Sequence, residues 1–287
     1  MTSDNDAEGR FAPRPVPPPE TAKGILLPRQ QNAANNHSRL PAGPRVSRYV
    51  EWYWWARWDR RGQPPFHAEV LPYPCVNLTF ERTHERTGAF VTGVWTTKYV
   101  RELAGEGETF GVKFRAGGFG AFTGLDVGAL SDTSVPATDI FPAADALAEA
   151  VLAVTDSERR RELIEDFLVA VQHREGDDTA YHLVLAIIEA MEQDPELTRV
   201  DQVTQRFDIP IRTLQRLFRR YVGGSPKWVL RRYRLQDGAH LLAQGRTSDL
   251  AALAVELGYF DQAHFFNEFA KEVGMPPLEY ARTSLPS

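Results

Sequence analysis

Between Val203 and Pro226 the chain reads VTQRFDIPIRTLQRLFRRYVGGSP, and the residues there that could do chemistry are Arg212, Thr213, Gln215, Arg216, Arg219 and Arg220. Arginine offers a planar fork of donors that matches guanine O6 and N7 together, and glutamine can do the same for adenine N6 and N7. Arginines further along neutralise phosphates. These residue types therefore suit the recognition of a duplex groove rather than the making or breaking of bonds. From Arg206 to Arg234 there are nine Arg or Lys and one acid, Asp208, a local net of +8. A merely solvated helix would mix the signs, so the pattern points to nucleic acid.

Two short helices must position that face. Val203 and Phe207 are four apart and share a helix side. Asp208-Ile209-Pro210 interrupts the run, and the fixed φ of proline suits the start of a new helix. From Ile211 onward, Leu214, Leu217, Phe218 and Tyr221 fall at the spacing of a buried stripe. Gly223 and Gly224 supply a left-handed C-cap. The layout then recurs. Ser225-Pro226-Lys227 opens a long helix to about Gln244, and Thr247-Ser248-Asp249 starts a short one with Leu250, Leu253, Ala254 and Leu257 on one side. Gly258 breaks it, Gln262 to Glu272 restarts with Phe265, Phe266 and Phe269, and Gly274 and Pro276-Pro277 stop it.

A chain of 287 residues can hold two domains of ordinary size. Its formal charge of −5 looks wrong for a binder of polyanions until it is divided. Residues 1–195 carry a net −8 and residues 196–287 a net +3, an acidic body with a basic end. The single cysteine, Cys75, excludes an internal disulfide and a cysteine zinc cage. No apolar run reaches the roughly 18 residues of a membrane span, and MTSDNDAEGR lacks the apolar core of a signal peptide, so a cytoplasmic protein is expected.

Residues 1–22 read as a disordered, Pro-rich leader. Gly24 to Pro28 could form a first strand, followed by loop to about Pro44. Residues 45–142 read as β: YVEWYWWARW, HAEVLPY, VNLTFE, AFVTGVW and TFGVKFR are short, branched or aromatic, and separated by turn signals. Phe119–Leu125, Ala143–Val154 and Ser157–His173 look helical, the last with a stripe of Leu163, Ile164, Phe167, Leu168 and Val171. Gly176-Asp177-Asp178 marks the boundary between a β-rich domain, 23–176, and a helical one, 178–284. The expected fold is α+β in two domains: a β-sandwich or barrel-like domain with flanking helices, then an all-α domain with two helix-turn-helix units joined by a long helix.

Within the β-rich half, Trp52 and Trp54 alternate with Tyr53 and Trp55 along one strand. Aromatic residues on both sides suggest a core face plus a ligand cavity or dimer face; packing between barrel and helix is the plainer alternative. His67 and Glu69 are two apart on a strand and could face a ligand, although no further metal ligands lie nearby. Cys75, in an apolar strand, reads as a buried thiol. Lys113, Arg115 and the glycines 117, 118 and 120 fit a Gly-rich turn, and their spacing matches no phosphate loop.

The stretches LQRLFRRYVGGSPKWVLRRYRLQDGAHLL and LAVELGYFDQAHFFNEFAKEVGMPPLEY resemble the AraC/XylS family of transcription regulators, over roughly 178–284. Residues 24–175 resemble an N-terminal domain of actinobacterial members, marked by LPYPCVNLTF and FGVKFRAGGF. The resemblance implies that the second helix of each unit enters the major groove, the two about one turn of DNA apart. By position, the first presents Arg212, Thr213, Gln215 and Arg216, and the second Ala263, His264 and Asn267, with Lys271 beyond. Departures stand out. Pro210 replaces the usual polar cap, Ala263 a polar residue and Asn267 a basic one, while Glu268 and Glu272 flank the second face. Residues 235–287 carry a net −4, so the first unit is expected to supply most of the base discrimination and the second mainly to position the protein.

The expected function is sequence-specific regulation of transcription on double-stranded DNA, controlled by a small-molecule effector or by dimerisation through the N-terminal domain. RNA polymerase would be a partner if the protein is an activator. A homodimer, with the 157–173 helix as a candidate face, and no membrane association, cofactor or catalytic set complete the expectation. A ligand-independent dimeric regulator is the alternative. A DNA alkyl-transfer enzyme is the remote one, since it needs an activated thiolate and Cys75 is the only thiol.

Overall fold

The computed structural model describes residues 23–172, 178–246 and 249–285; the leader expected over 1–22 lies outside them. In order, α1 (Pro28–Ala34) and β1 (Asn36–Pro41) precede β2 (Val50–Arg60), β3 (Phe66–Val70), β4 (Asn77–Arg82), β5 (Thr87–Thr92), β6 (Tyr99–Leu103) and β7 (Gly105–Phe114). A short α2 (Gly118–Thr123), the edge strand β8 (Ser134–Pro136), α3 (Ala144–Ala153) and α4 (Ser157–Val171) complete the first half. The second half is helical: α5 (Thr179–Gln193), α6 (Val200–Arg206), α7 (Ile211–Leu217), α8 (Pro226–Ala243), α9 (Leu250–Glu256), α10 (Gln262–Val273) and α11 (Pro277–Ser284).

Two differences from expectation fall at the start. Gly24 to Pro28 makes only an isolated bridge, Ile25 to Val70, and the stretch expected as loop contains α1 and β1. Strand β1 lies at the edge of the sheet, and its side chains are half-buried or exposed. Such a strand is held by backbone pairing on one side, so NHSRLP needs no apolar alternation to form it.

The sheet runs β1-β2-β7-β4-β5-β8, and β3 pairs with β6 in a separate two-stranded ribbon. Alternation along the long strands β2 and β7 builds two different faces. Tyr53, Phe110, Val112 and Phe114, with Leu78 and Phe80 of β4, are buried in a core with Phe119, Phe122, Ile164 and Leu168. The other face carries Trp52, Trp54 and Trp58, and the β3–β6 ribbon crosses it, with Ala68 and Leu103 packed on Trp58.

That first core does not stop at the boundary expected near residue 176. It continues through Tyr181, Val184 and Ile187 of α5, Leu214 and Phe218, to Tyr233 of α8. A second core joins Leu26 and Leu71 to Leu235, Leu242, Phe265, Phe269 and Tyr280. Each core therefore contains residues from both halves of the chain.

Candidate nucleic-acid interface and aromatic cavity

Helix α7, the first expected to enter a groove, begins as its sequence suggests. Asp208 takes a left-handed φ of 46° after α6, and Pro210 stands at the N-cap of α7 with φ −61°. Leu214, Leu217, Phe218 and Tyr221 are all buried. The last turn, Phe218–Val222, widens to π-helical geometry and closes on Gly223 at φ 79°. Behind it sit α2 and the turn Val127–Leu130, whose Gly120 and Gly128 admit the backbone of Arg220 and Arg219. Arg212, Gln215, Arg216, Arg219 and Arg220 are exposed and Thr213 is half-buried. Arg219 lies 4.0 Å from Asp126, whereas Arg212 and Arg216 have no ion-pair partner among the described residues.

In the second unit Asp261 caps α10 by accepting from the His264 backbone N–H at 2.7 Å. Phe265 and Phe269 are buried, and Ala263, His264, Asn267 and Lys271 are exposed. The acids expected to flank this face turn inward. Glu268 accepts from the Tyr259 hydroxyl at 3.0 Å and from Arg231 Nε at 3.0 Å, and Glu272 lies 3.5 Å from Arg232.

The same contacts correct the charge argument. Arg232 is only 1% exposed and donates to the Thr96 carbonyl at 2.7 Å, and Arg234 donates to the Gly258 carbonyl at 2.9 Å. Three of the basic residues counted toward the reading surface are thus internal struts, and Arg206 pairs with Asp194. What faces outward is the narrower set on α7 and its last turn, with Lys227 beside it.

The second site is a cavity of about 260 Å³ between the tryptophan face of the large sheet and the β3–β6 ribbon. Trp54 pairs with Gly111 and Trp58 with Gly107 across β2 and β7. A Cβ on either glycine would lie 2.3 Å from the facing indole, so the rings lie flat on bare backbone. Trp54 Nε1 donates to Asn77 Oδ1 at 3.1 Å. Lys113 Nζ sits 3.7 Å from the centre of Trp52 and 2.6 Å from Glu51, and the Arg39 guanidinium lies 4.5 Å from the same indole. Glu81 is 2% exposed and held by Arg86 and Arg101 at 2.8 and 2.7 Å. Burial pushes its carboxyl up, but the Arg86 and Arg101 guanidiniums outweigh that and hold it below the usual carboxylate range.

Trp52 and Trp54 line this cavity as expected, but His67 and Glu69 do not. Ala68 and Val70 take the inward positions of β3, which turns their neighbours outward: His67 sits 3.6 Å from Glu102, and Glu69 binds Lys98 at 2.9 Å. Arg39 and Trp95 were not foreseen. The alternation of Asn77, Thr79 and Glu81 within VNLTFE was a usable sign, because three polar residues at every second position of a buried strand mark a wet face. Arg115, in the Gly-rich turn, donates to the Ser47 carbonyl at 2.7 Å. Cys75 is buried, and burial pushes its thiol up to about 12. No group of three or more His, Cys, Asp or Glu suited to a metal occurs among the described residues.

The cavity rim touches the helical half directly. Trp228 Nε1 donates to the Thr96 carbonyl at 2.9 Å, Gln236 Nε2 to Leu71 at 2.8 Å, and Lys98 Nζ to Val273 at 2.9 Å. No helix among the described residues is long and apolar enough to cross a membrane.

Residues 203–283 match the model of a helix-turn-helix domain family, and residues 38–136 match that of a domain of unknown function, DUF6597. An uncharacterized HTH-type transcriptional regulator of Haemophilus influenzae is 31% identical over 98 residues, 34% of this chain and 33% of that protein. The transcriptional activator RhaS of Escherichia fergusonii is 30% identical over 124 residues, 42% of this chain and 44% of RhaS. The matches thus span less than half the length of these relatives. ToxT of Vibrio cholerae superposes with a TM-score of 0.40 at 11% identity, over 88% of this chain and 98% of that one. Residues 203–283 thus carry a helix-turn-helix domain, and the sheet-rich half that precedes them carries a DUF6597 domain.

Proposed function

We propose that the protein is a sequence-specific DNA-binding regulator of transcription whose N-terminal cavity senses a small molecule. The observation that carries the DNA reading is the α7 face. Arg212 and Arg216 stand exposed beside Gln215, on a helix whose opposite side is buried and whose charges are not consumed internally. Thr213, Arg219 and Arg220 extend that face toward the phosphates, and His264, Asn267 and Lys271 form the second, weaker contact. The partial likeness to RhaS, an HTH-type transcriptional activator, supports this reading.

The sensing half rests on the cavity and its rim. A ligand shifts a protein only by binding one arrangement better than another. Here the segments that hold Tyr73 and Trp95 in the cavity wall are hydrogen-bonded to α8 through Leu71 and Thr96. A bound molecule that moves those segments would act on the helix joining the two reading units. Selection of bound sites from random DNA tests the reading. Two recovered blocks about 10–10.5 base pairs apart, the stronger one lost with Arg216→Ala, are expected. A protein that enriches no sequence would refute it.

A further inference from the structure

We infer that the cavity takes a flat organic anion, an aromatic or heteroaromatic acid, with its ring among the tryptophans and its carboxylate at Arg39. This inference rests on the sensor reading and specifies the class of ligand.

Size comes first. A dry cavity of about 150 Å³ accepts benzene. The present one, at about 260 Å³, has room for a ring with a substituent. Its floor is indole, laid flat over Gly107 and Gly111, which favours a planar guest.

Charge then decides between classes. Aromatic boxes commonly hold cations, but this one is already supplied with them: Arg39 and Lys113 both lie on Trp52. Lys23, Arg39, Arg101 and Lys113 line the cavity against a single carboxylate, Glu81. Glu81 is spoken for by Arg86 and Arg101, Lys113 by Glu51, and Lys23 by Asp237. Arg39 alone of these has no carboxylate within ion-pair distance among the described residues, Glu51 acting on it only from farther off, and its Nη1 is buried without an acceptor. His37 adds no positive charge at neutral pH, because burial and then Arg39 hold it below its usual value. A second cation would find no free carboxylate.

The other unmatched groups refine the guest. Trp95 Nε1 is a second buried donor without an acceptor, and Gln31 Oε1 is a buried acceptor without a donor. A neutral sugar would bring donors and acceptors in equal supply. An acid bearing one hydroxyl or ring N–H fits the set better. A guanidinium nitrogen left buried and unmatched is costly, so an acid that satisfies Nη1 gains affinity that its amide does not.

The test uses the full-length protein, calorimetry and tryptophan fluorescence. The probes are benzoate and indole-3-acetate, the matched amides benzamide and indole-3-acetamide, and benzyltrimethylammonium as the cation. Acids should bind at least roughly tenfold more tightly than their amides, the equivalent of one charge-assisted hydrogen bond. The cation should not bind. Arg39→Gln should erase the difference between acid and amide, and Arg39→Lys should restore part of it. If Arg39→Gln does not fold, the comparison of acid with amide on the unaltered protein decides alone. Amides or the cation binding as well as the acids would overturn the anion assignment and leave the sensor reading standing. Silence from every probe would remove the sensor reading and the ligand class together.

Discussion

Arg216→Ala separates a base-reading arginine from a structural one. Arg216 is exposed and forms no ion pair among the described residues, so its loss should change folding stability by no more than about 0.5 kcal/mol. Loss of a bidentate contact to guanine should cost ~1–3 kcal/mol of binding, roughly 5- to 150-fold in Kd, concentrated at one base pair. Arg231→Ala is the internal control. Arg231 Nε binds Glu268, whose side chain is 7% exposed, so truncation takes the nearest guanidinium from a buried carboxylate, leaves it the Tyr259 hydroxyl, and should lower stability by about 3 kcal/mol. Arg216→Lys distinguishes two roles within the surface reading. A lysine keeps the charge but loses the fork, so it should restore affinity if Arg216 meets phosphate and fail to restore discrimination if it reads a base. Fluorescence anisotropy against the selected site and its single-base variants, alongside urea unfolding, measures both quantities. Equal stability losses for Arg216→Ala and Arg231→Ala, or unchanged base preference in Arg216→Ala, would refute the reasoning.

Three further outcomes are expected. Asn267→Ala should weaken DNA binding clearly less than Arg216→Ala, and equal losses would end the idea of unequal units. Glu81→Gln should cost about 3–5 kcal/mol in urea unfolding at neutral pH, since Arg86 and Arg101 lose their shared carboxylate. Because the folded-state value of Glu81 is depressed, its contribution is complete above the unfolded value near 4.5 and fades as pH falls through the folded value, so the variant should lack that part of the acid loss. Cys75, with its thiol pushed up to about 12 by burial, should resist iodoacetamide at pH 8 in the native protein and react once denatured. Rapid native labelling, read by mass, would contradict the buried placement.

Helix α7 was legible because its determinants are local. The Asp208-Ile209-Pro210 break, the stripe from Leu214 to Tyr221 and the Gly223 cap all lie within one short stretch, and each appears as expected. The internal use of Arg231, Arg232 and Arg234 was not legible, because their partners Glu268, Thr96 and Gly258 are remote in the sequence. Alternation correctly put His67 and Glu69 on one side of a strand, but phase alone does not say which side meets the sheet; Ala68 does. The edge strand β1 was missed for a similar reason, since backbone pairing alone to β2 leaves little trace in side-chain type.

The interleaving of the two cores bears on how such a protein can be re-engineered. Transplanting residues 178–285 onto a foreign sensor would bare Leu235, Leu242 and Tyr280 where Leu26 and Leu71 now cover them. Changing Arg212 or Gln215 disturbs nothing beneath the surface. On the proposed reading, new operator preferences are best sought by repainting the outward side of α7, leaving the seam between the halves as it is.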